Sequence, residues 1–186
     1  MSYLNEIEII IRKNFKFLLL GAISLLIFHQ YIVLILLLIF FTILGVMTLK
    51  VSQLVPHISI ESVSASAILL GYVWDWKIAL AFGVVVGLFG YTKISQLRLK
   101  AIVSTLFMGL SGVMGDLFHT MGYSFFWTFI IIYLIRSNLG FFVFYMLEPN
   151  VTENIMHSYG DAIFNVLITV QLMQFIYFVV RLLVPA

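Results

Sequence analysis

Three acidic residues lie within apolar stretches of the chain: Glu61, Asp116 and Asp161. A charge in hydrocarbon costs roughly 2.5–3.5 kcal/mol on insertion scales, so each intramembrane acid is a candidate for function. Asp116 closes the run Gly109-Leu110-Ser111-Gly112-Val113-Met114-Gly115-Asp116. Helical spacing puts Gly109, Gly112, Asp116 and His119 on one face. Asp116 and His119 are three residues apart, within reach of each other on a helix. They read either as a substrate or proton site or as a packing pair near a helix end. Asp161, Asn165 and Thr169 recur every four residues, with His157 a turn earlier. Such a stripe must face protein or water, although Asp161 also suits a helix start, where the backbone dipole favours an acid. Glu61 has the same two readings. With Ser59, Ser62 and Ser66 on a neighbouring face, it forms either a polar cavity wall or a cap with serine packing.

Other chemistries find less footing. There are no cysteines, hence no disulfide or thiolate site. His119, His157, Asp116 and Asp161 could hold a metal only if two distant helices met, and no HExxH spacing is present, so no metal or cofactor is expected. An aspartate dyad is the sharper enzymatic idea, because two carboxylates sharing a proton can activate water. Met114-Gly115-Asp116 and Tyr159-Gly160-Asp161 place a Gly-Asp on each of two helices, which resembles the intramembrane aspartyl proteases. Their motif is Gly-x-Gly-Asp, and Val113 stands where the first glycine would be.

The elements that position these residues follow from composition. The chain is 63% hydrophobic and 10% charged over 186 residues, against about 25% charge in a soluble domain. Its solvent must be mostly lipid, and continuous apolar runs such as 31–46 can satisfy their backbone only as helices. The net charge of +2 does not suggest nucleic acid. A single all-α membrane domain over 1–186 is expected, a bundle of six or seven helices. An interfacial helix at 3–14 precedes spans at about 17–28, 31–49, 58–73, 77–91, 101–121, 123–147 and 160–182. Residues 148–159 read as the longest polar loop. Arg136, Ser137 and Asn138 interrupt an apolar run and mark a kink, a break or a cavity wall.

The stretch 58–91 is the organising one: two short helices joined at Trp74-Asp75-Trp76, the second carrying Gly83, Gly87 and Gly90. If 17–28 and 31–49 both cross, an inside N-terminus places Arg12, Lys13, Lys16, Lys50, Lys93, Arg98 and Lys100 in the cytoplasm, with only Lys77 and Arg181 outside. If they form one span, the charge rule is violated. The expected location is the cell membrane, with the N-terminus cytoplasmic.

The order of features adds a resemblance. A short helix ends in Leu70-Gly71-Tyr72, a glycine-rich helix follows (Phe82-Gly83-Val84-Val85-Val86-Gly87-Leu88-Phe89-Gly90), and the last helix carries an early asparagine, Asn165, in Ile163-Phe164-Asn165-Val166-Leu167. Over roughly 58–182 this resembles the fold shared by the substrate-binding S components of energy-coupling-factor transporters and the rod-shape protein MreD. Three departures stand out, one of them the extra apolar segment, which breaks the six-helix count of that fold. The Ala-x-x-x-Ala docking motif of S components is missing from 17–49, and Tyr91-Thr92 stands where MreD-like proteins carry an acid. The resemblance implies a non-enzymatic binding subunit. A small solute would bind among Glu61, Asp116, His119, Asp161 and Asn165 near the outer helix ends. Gly83, Gly87, Gly90, Gly109 and Gly112 would dock a membrane partner. The alternative it implies is an MreD-like scaffold for envelope or cell-shape assembly that binds no solute.

Overall fold

The computed structural model describes residues 2–54 and 61–184, and every regular element among them is helical. The helices are α1 (Ser2–Leu54), α2 (Val63–Val73), α3 (Trp76–Lys93), α4 (Leu99–Thr120), α5 (Phe125–Leu147), α6 (Val151–Phe164) and α7 (Val170–Leu183). A π-helical turn, Asn165–Thr169, joins α6 to α7 without a break. Five stretches are long and apolar enough to cross a membrane: Phe28–Ser52, Trp76–Lys93, Leu99–Thr120, Phe125–Leu147 and Val151–Leu183. This is the organisation of a polytopic helical membrane protein.

Helix α2 is the centre. It has 11 residues, a length of ~16 Å at 1.5 Å per residue, about half the ~30 Å hydrocarbon thickness. All ten residues from Val63 to Tyr72 are buried. Helices α1, α3, α4, α5 and α7 surround it. The turn into α3 is capped by Asp75, whose carboxylate accepts the Lys77 N–H at 2.6 Å. This is the aromatic hairpin expected at 58–91, although residues 58–60 lie outside the described residues.

Glycines let α2, α3 and α4 approach backbone to backbone. A methyl group on Gly71 would overlap the carbonyl of Gly112, and one on Gly83 would lie 2.6 Å from the Gly109 nitrogen. Gly87 faces Thr105 and Met108, while Gly90 faces Leu49 of α1. All five glycines expected to dock a partner are buried in these internal contacts. The chain itself fills that face, because small-residue packing serves a hairpin within one chain as well as it serves two chains.

Three further expectations change. The interfacial helix 3–14 and the spans 17–28 and 31–49 are one continuous helix, α1. Nothing between Phe28 and Tyr31 breaks it, since His29 and Gln30 are polar but helix-compatible. A single helix carries Arg12, Lys13 and Lys16 to the end opposite Lys50, so basic residues no longer gather on one side and charge alone does not fix the orientation. Finally, the polar stretch 148–159 is mostly helix. Asn150 caps α6 by accepting the Glu153 N–H at 3.2 Å, leaving Glu148, Pro149 and Asn150 as the connection.

Gly71→Ala should destabilise the protein by about 1–3 kcal/mol or more, because the opposing atom is backbone that cannot swing away. Gly21→Ala should leave stability unchanged or raise it by up to about 1 kcal/mol, since nothing lies within 4 Å of its added methyl group and alanine favours the helix. Thermal unfolding of the two variants in the same detergent checks the difference; equal melting temperatures would contradict the packing.

Candidate functional site

A polar network sits at the end of the bundle where α2 begins. Glu61 stands just before α2 and folds back over its first turn. Its Oε1 accepts the Ser64 N–H at 2.6 Å, and its Oε2 accepts the Ser64 hydroxyl at 2.7 Å. Glu61 thus does bond one orphan amide of a helix start, that of Ser64. It does more, because Arg136 of α5 donates from Nη2 to Oε2 at 3.0 Å. The other fork of the guanidinium, Nη1, donates to Oδ2 of Asp161 on α6 at 2.5 Å. Asn165 completes the network: its Nδ2 donates to Oδ1 of Asp161 and to the Asp161 carbonyl, both at 2.9 Å.

Every carboxylate oxygen in the network therefore has a donor. The side chains of Glu61, Asp161 and Arg136 are only 2%, 7% and 13% exposed. Three segments are tied together by charge-assisted bonds, the strong class of hydrogen bond. Tyr133, one turn before Arg136, sets its ring 5.6 Å from the guanidinium. One guanidinium against two carboxylates leaves one negative charge in excess when both acids are ionised.

Two spaces lie at this end of the bundle and share His157 in their walls. A cavity of about 20 Å³ is lined by Ser104, Arg136, Ser137, His157, Ser158 and Asp161, room for about one water. A wider basin of about 240 Å³ opens between the helix ends, lined by Tyr91, Gln96, Arg98, Lys100, Glu153 and His157. His157 forms part of both walls and packs its ring 5.2 Å from Phe144. Lys100 is held by Glu148 at 2.6 Å and Glu153 at 3.6 Å.

Of the expected site residues, Glu61, Asp161 and Asn165 converge. The stripe Asp161, Asn165, Thr169 is buried throughout, even though the π turn falls within it. Such turns often mark functional positions in helices. Asp116 and His119 do not join. His119 packs its ring against Tyr72 at the far end of α2, centroids 4.4 Å apart and tilted by 39°, so the length of α2 separates them from Glu61. A dyad of Asp116 with Asp161 is not formed, which removes the geometric basis for an aspartate hydrolase. Arg136 was expected to mark a kink, a break or a cavity wall; α5 runs through it unbroken, and Arg136 both lines the cavity and is the hub of the network. The signal was there, in that two buried acids require a cation and Arg136 is an arginine in the middle of an apolar span. No group of three or more His, Cys, Asp or Glu side chains placed to hold a metal occurs among the described residues.

No protein-family profile, curated protein or solved structure matches the chain.

Arg136→Met should destabilise the fold by about 3–5 kcal/mol, because it leaves two buried carboxylates without their cation. Lys77→Met, at the opposite helix end and exposed, should change stability by no more than about 0.5 kcal/mol. Denaturant unfolding in mixed micelles compares the two. A mild effect of Arg136→Met would mean the network is not buried as described.

Proposed function

We propose that this protein is a membrane-embedded, S-component-like subunit that binds a small solute and works with a membrane partner in the cell membrane. The observation that carries the reading is the pair of neighbouring spaces that share His157 in their walls, a basin at the helix ends and a small cavity lined by Arg136 and Asp161. Lipid-facing helices have no use for such a polar lining, and intramembrane charges are kept where they serve a site. The reading places the N-terminus in the cytoplasm, the side favoured by Arg12, Lys13 and Lys16 ahead of the first apolar run, although Lys50, Lys93, Arg98 and Lys100 then fall outside; the basin opens outward in that orientation, at the end where an S-component-like protein would receive its solute.

A second reading has its own support. The small cavity beside Arg136 and Asp161 has room for only about one water, and every carboxylate oxygen is already bonded, as expected if the network only locks helices. That favours an MreD-like scaffold.

Purification in gentle detergent, with mass spectrometry of co-purified proteins and small molecules, separates the two. The binding reading expects a stoichiometric small molecule that disappears in Asp161→Asn and persists in Asp116→Ala. A scaffold yields envelope-assembly partners and no small molecule in either variant. Orientation has a direct check, because the chain contains no cysteine. Cysteines introduced singly at Gln96 and at Asp75 should react with impermeant reagents from outside only at Gln96. Labelling only at Asp75 would invert the assignment.

A further inference from the structure

The cavity beside Asp161 is small, polar and set against an unbalanced charge. Arg136 is shared by Glu61 and Asp161, so this buried trio carries one negative charge in excess. A proton would have to displace a donor to neutralise it. Glu61 accepts from Ser64 at both oxygens and from Arg136, and Asp161 accepts from Arg136 and Asn165 at one oxygen each.

Oxygens converge on the cavity. Ser104, Ser137, Ser158 and Asp161 line a space with room for about one water. Ser158 is 7% exposed and its Oγ has no hydrogen-bond partner among the described residues. Ser137 gives its hydroxyl hydrogen to the Tyr133 carbonyl at 2.6 Å, so its lone pairs remain free. Ser104 accepts from the Tyr91 hydroxyl at 3.3 Å and has a second lone pair to offer. Arg136 also lines the cavity, but its Nη1 and Nη2 are engaged by Asp161 and Glu61.

A glycine keeps the space open. Gly140 is buried in the interior of α5, where alanine would make the better helix. Every other buried glycine among the described residues would bring an added methyl group within 3 Å of a neighbouring atom. At Gly140 the nearest atoms, in the Phe144 ring and at Ser158 Oγ, stand 3.6 Å away. Close packing therefore does not call for this glycine. Its missing methyl group leaves room in the cavity wall beside the unpartnered Ser158 Oγ.

We infer that the cavity binds one dehydrated alkali cation, held by the Asp161 carboxylate and the hydroxyl oxygens of Ser104, Ser137 and Ser158. One positive charge balances the excess. All four donors are oxygens, the atoms that coordinate alkali ions inside membrane proteins. A divalent ion would overshoot the charge, and such ions ask for about six oxygens or more. A water in the same place would satisfy Ser158 and leave the charge standing. No open path to the cavity is required, because an ion that binds only the folded chain can be taken up as the chain folds. The site does not depend on a solute and would serve a scaffold equally.

The test is thermal unfolding of the purified full-length protein in detergent at fixed pH, with NaCl or KCl exchanged for choline chloride at constant ionic strength. Na+ or K+ should raise the melting temperature relative to choline, by about 3 °C for each tenfold increase above the dissociation constant. The more effective of the two is the ion the site selects. Gly140→Ala, whose methyl group fills the space with ordinary contacts, should fold and lose the dependence. Ser158→Ala and Asp161→Asn should lose it too, while Asp116→Ala, toward the other end of α2, should keep it. Equal melting temperatures in all three salts would overturn the proposal and leave a water as the occupant. An alkali effect undiminished in Gly140→Ala or Asp161→Asn would also overturn it, since the ion then binds elsewhere. Stabilisation by acid in choline, with no alkali effect, would assign the balancing charge to a proton on Asp161 or His157 and would contradict the cation site.

Discussion

An arginine between helices in lipid must be neutralised on the spot, and Arg136 is neutralised from two directions at once. Its planar fork reaches Glu61 ahead of α2 and Asp161 on α6. A guanidinium keeps its charge under all ordinary conditions, so the arrangement cannot relax by losing a proton from the cation. It must be met by geometry. That requirement fixes where α2 begins, how deep α5 carries Arg136, and which face of α6 turns inward. Ser64, Asn165 and Tyr133 then do secondary work, bonding the carboxylates or shielding the guanidinium.

The glycine packing serves the same end. Because Gly71, Gly83, Gly112 and Gly115 admit close contacts, α2 sits fully enclosed although it is too short to cross a bilayer. A short, enclosed helix brings its own start below the level of the neighbouring helix ends. Glu61 is therefore buried among α1, α5 and α6 rather than displayed at the interface. The basin above it exists for the same reason: α3, α4, α5 and α6 continue past the point where α2 starts. Local packing and the polar site are thus one construction, with small residues setting depth and charges setting register.

Much of this was legible in the residues. The continuous apolar runs gave helices and a membrane. The repeat of Asp161, Asn165 and Thr169 gave an inward polar face, and the hairpin around Trp74-Asp75-Trp76 gave the central element. Other features were hidden for physical reasons. A helix boundary needs a breaker, and His29-Gln30 is polar without being one, so a polarity dip looked like a loop. Residues 148–159 misled in the opposite way, since an amphipathic helix end carries as many polar groups as a turn. Glycine faces looked free because a sequence does not say whether the partner of a smooth surface is another chain or the next helix. Asp116 and Asp161 carry similar local signals, and only the path of the chain shows that one lies beside Arg136 and the other by the opposite turn. That Arg136 links Glu61 to Asp161 was hidden because those partners are distant from it in sequence.

The account depends on Arg136 and Asp161 being coupled inside the bundle. The direct measure is a double-mutant cycle for unfolding, with Arg136→Met, Asp161→Asn and the pair combined. A close, shielded charge pair should give a coupling free energy of about 1.5 kcal/mol or more, with the double variant more stable than additivity of the singles allows. Additivity within about 0.5 kcal/mol would mean the two residues do not touch, and the site described around them would not exist.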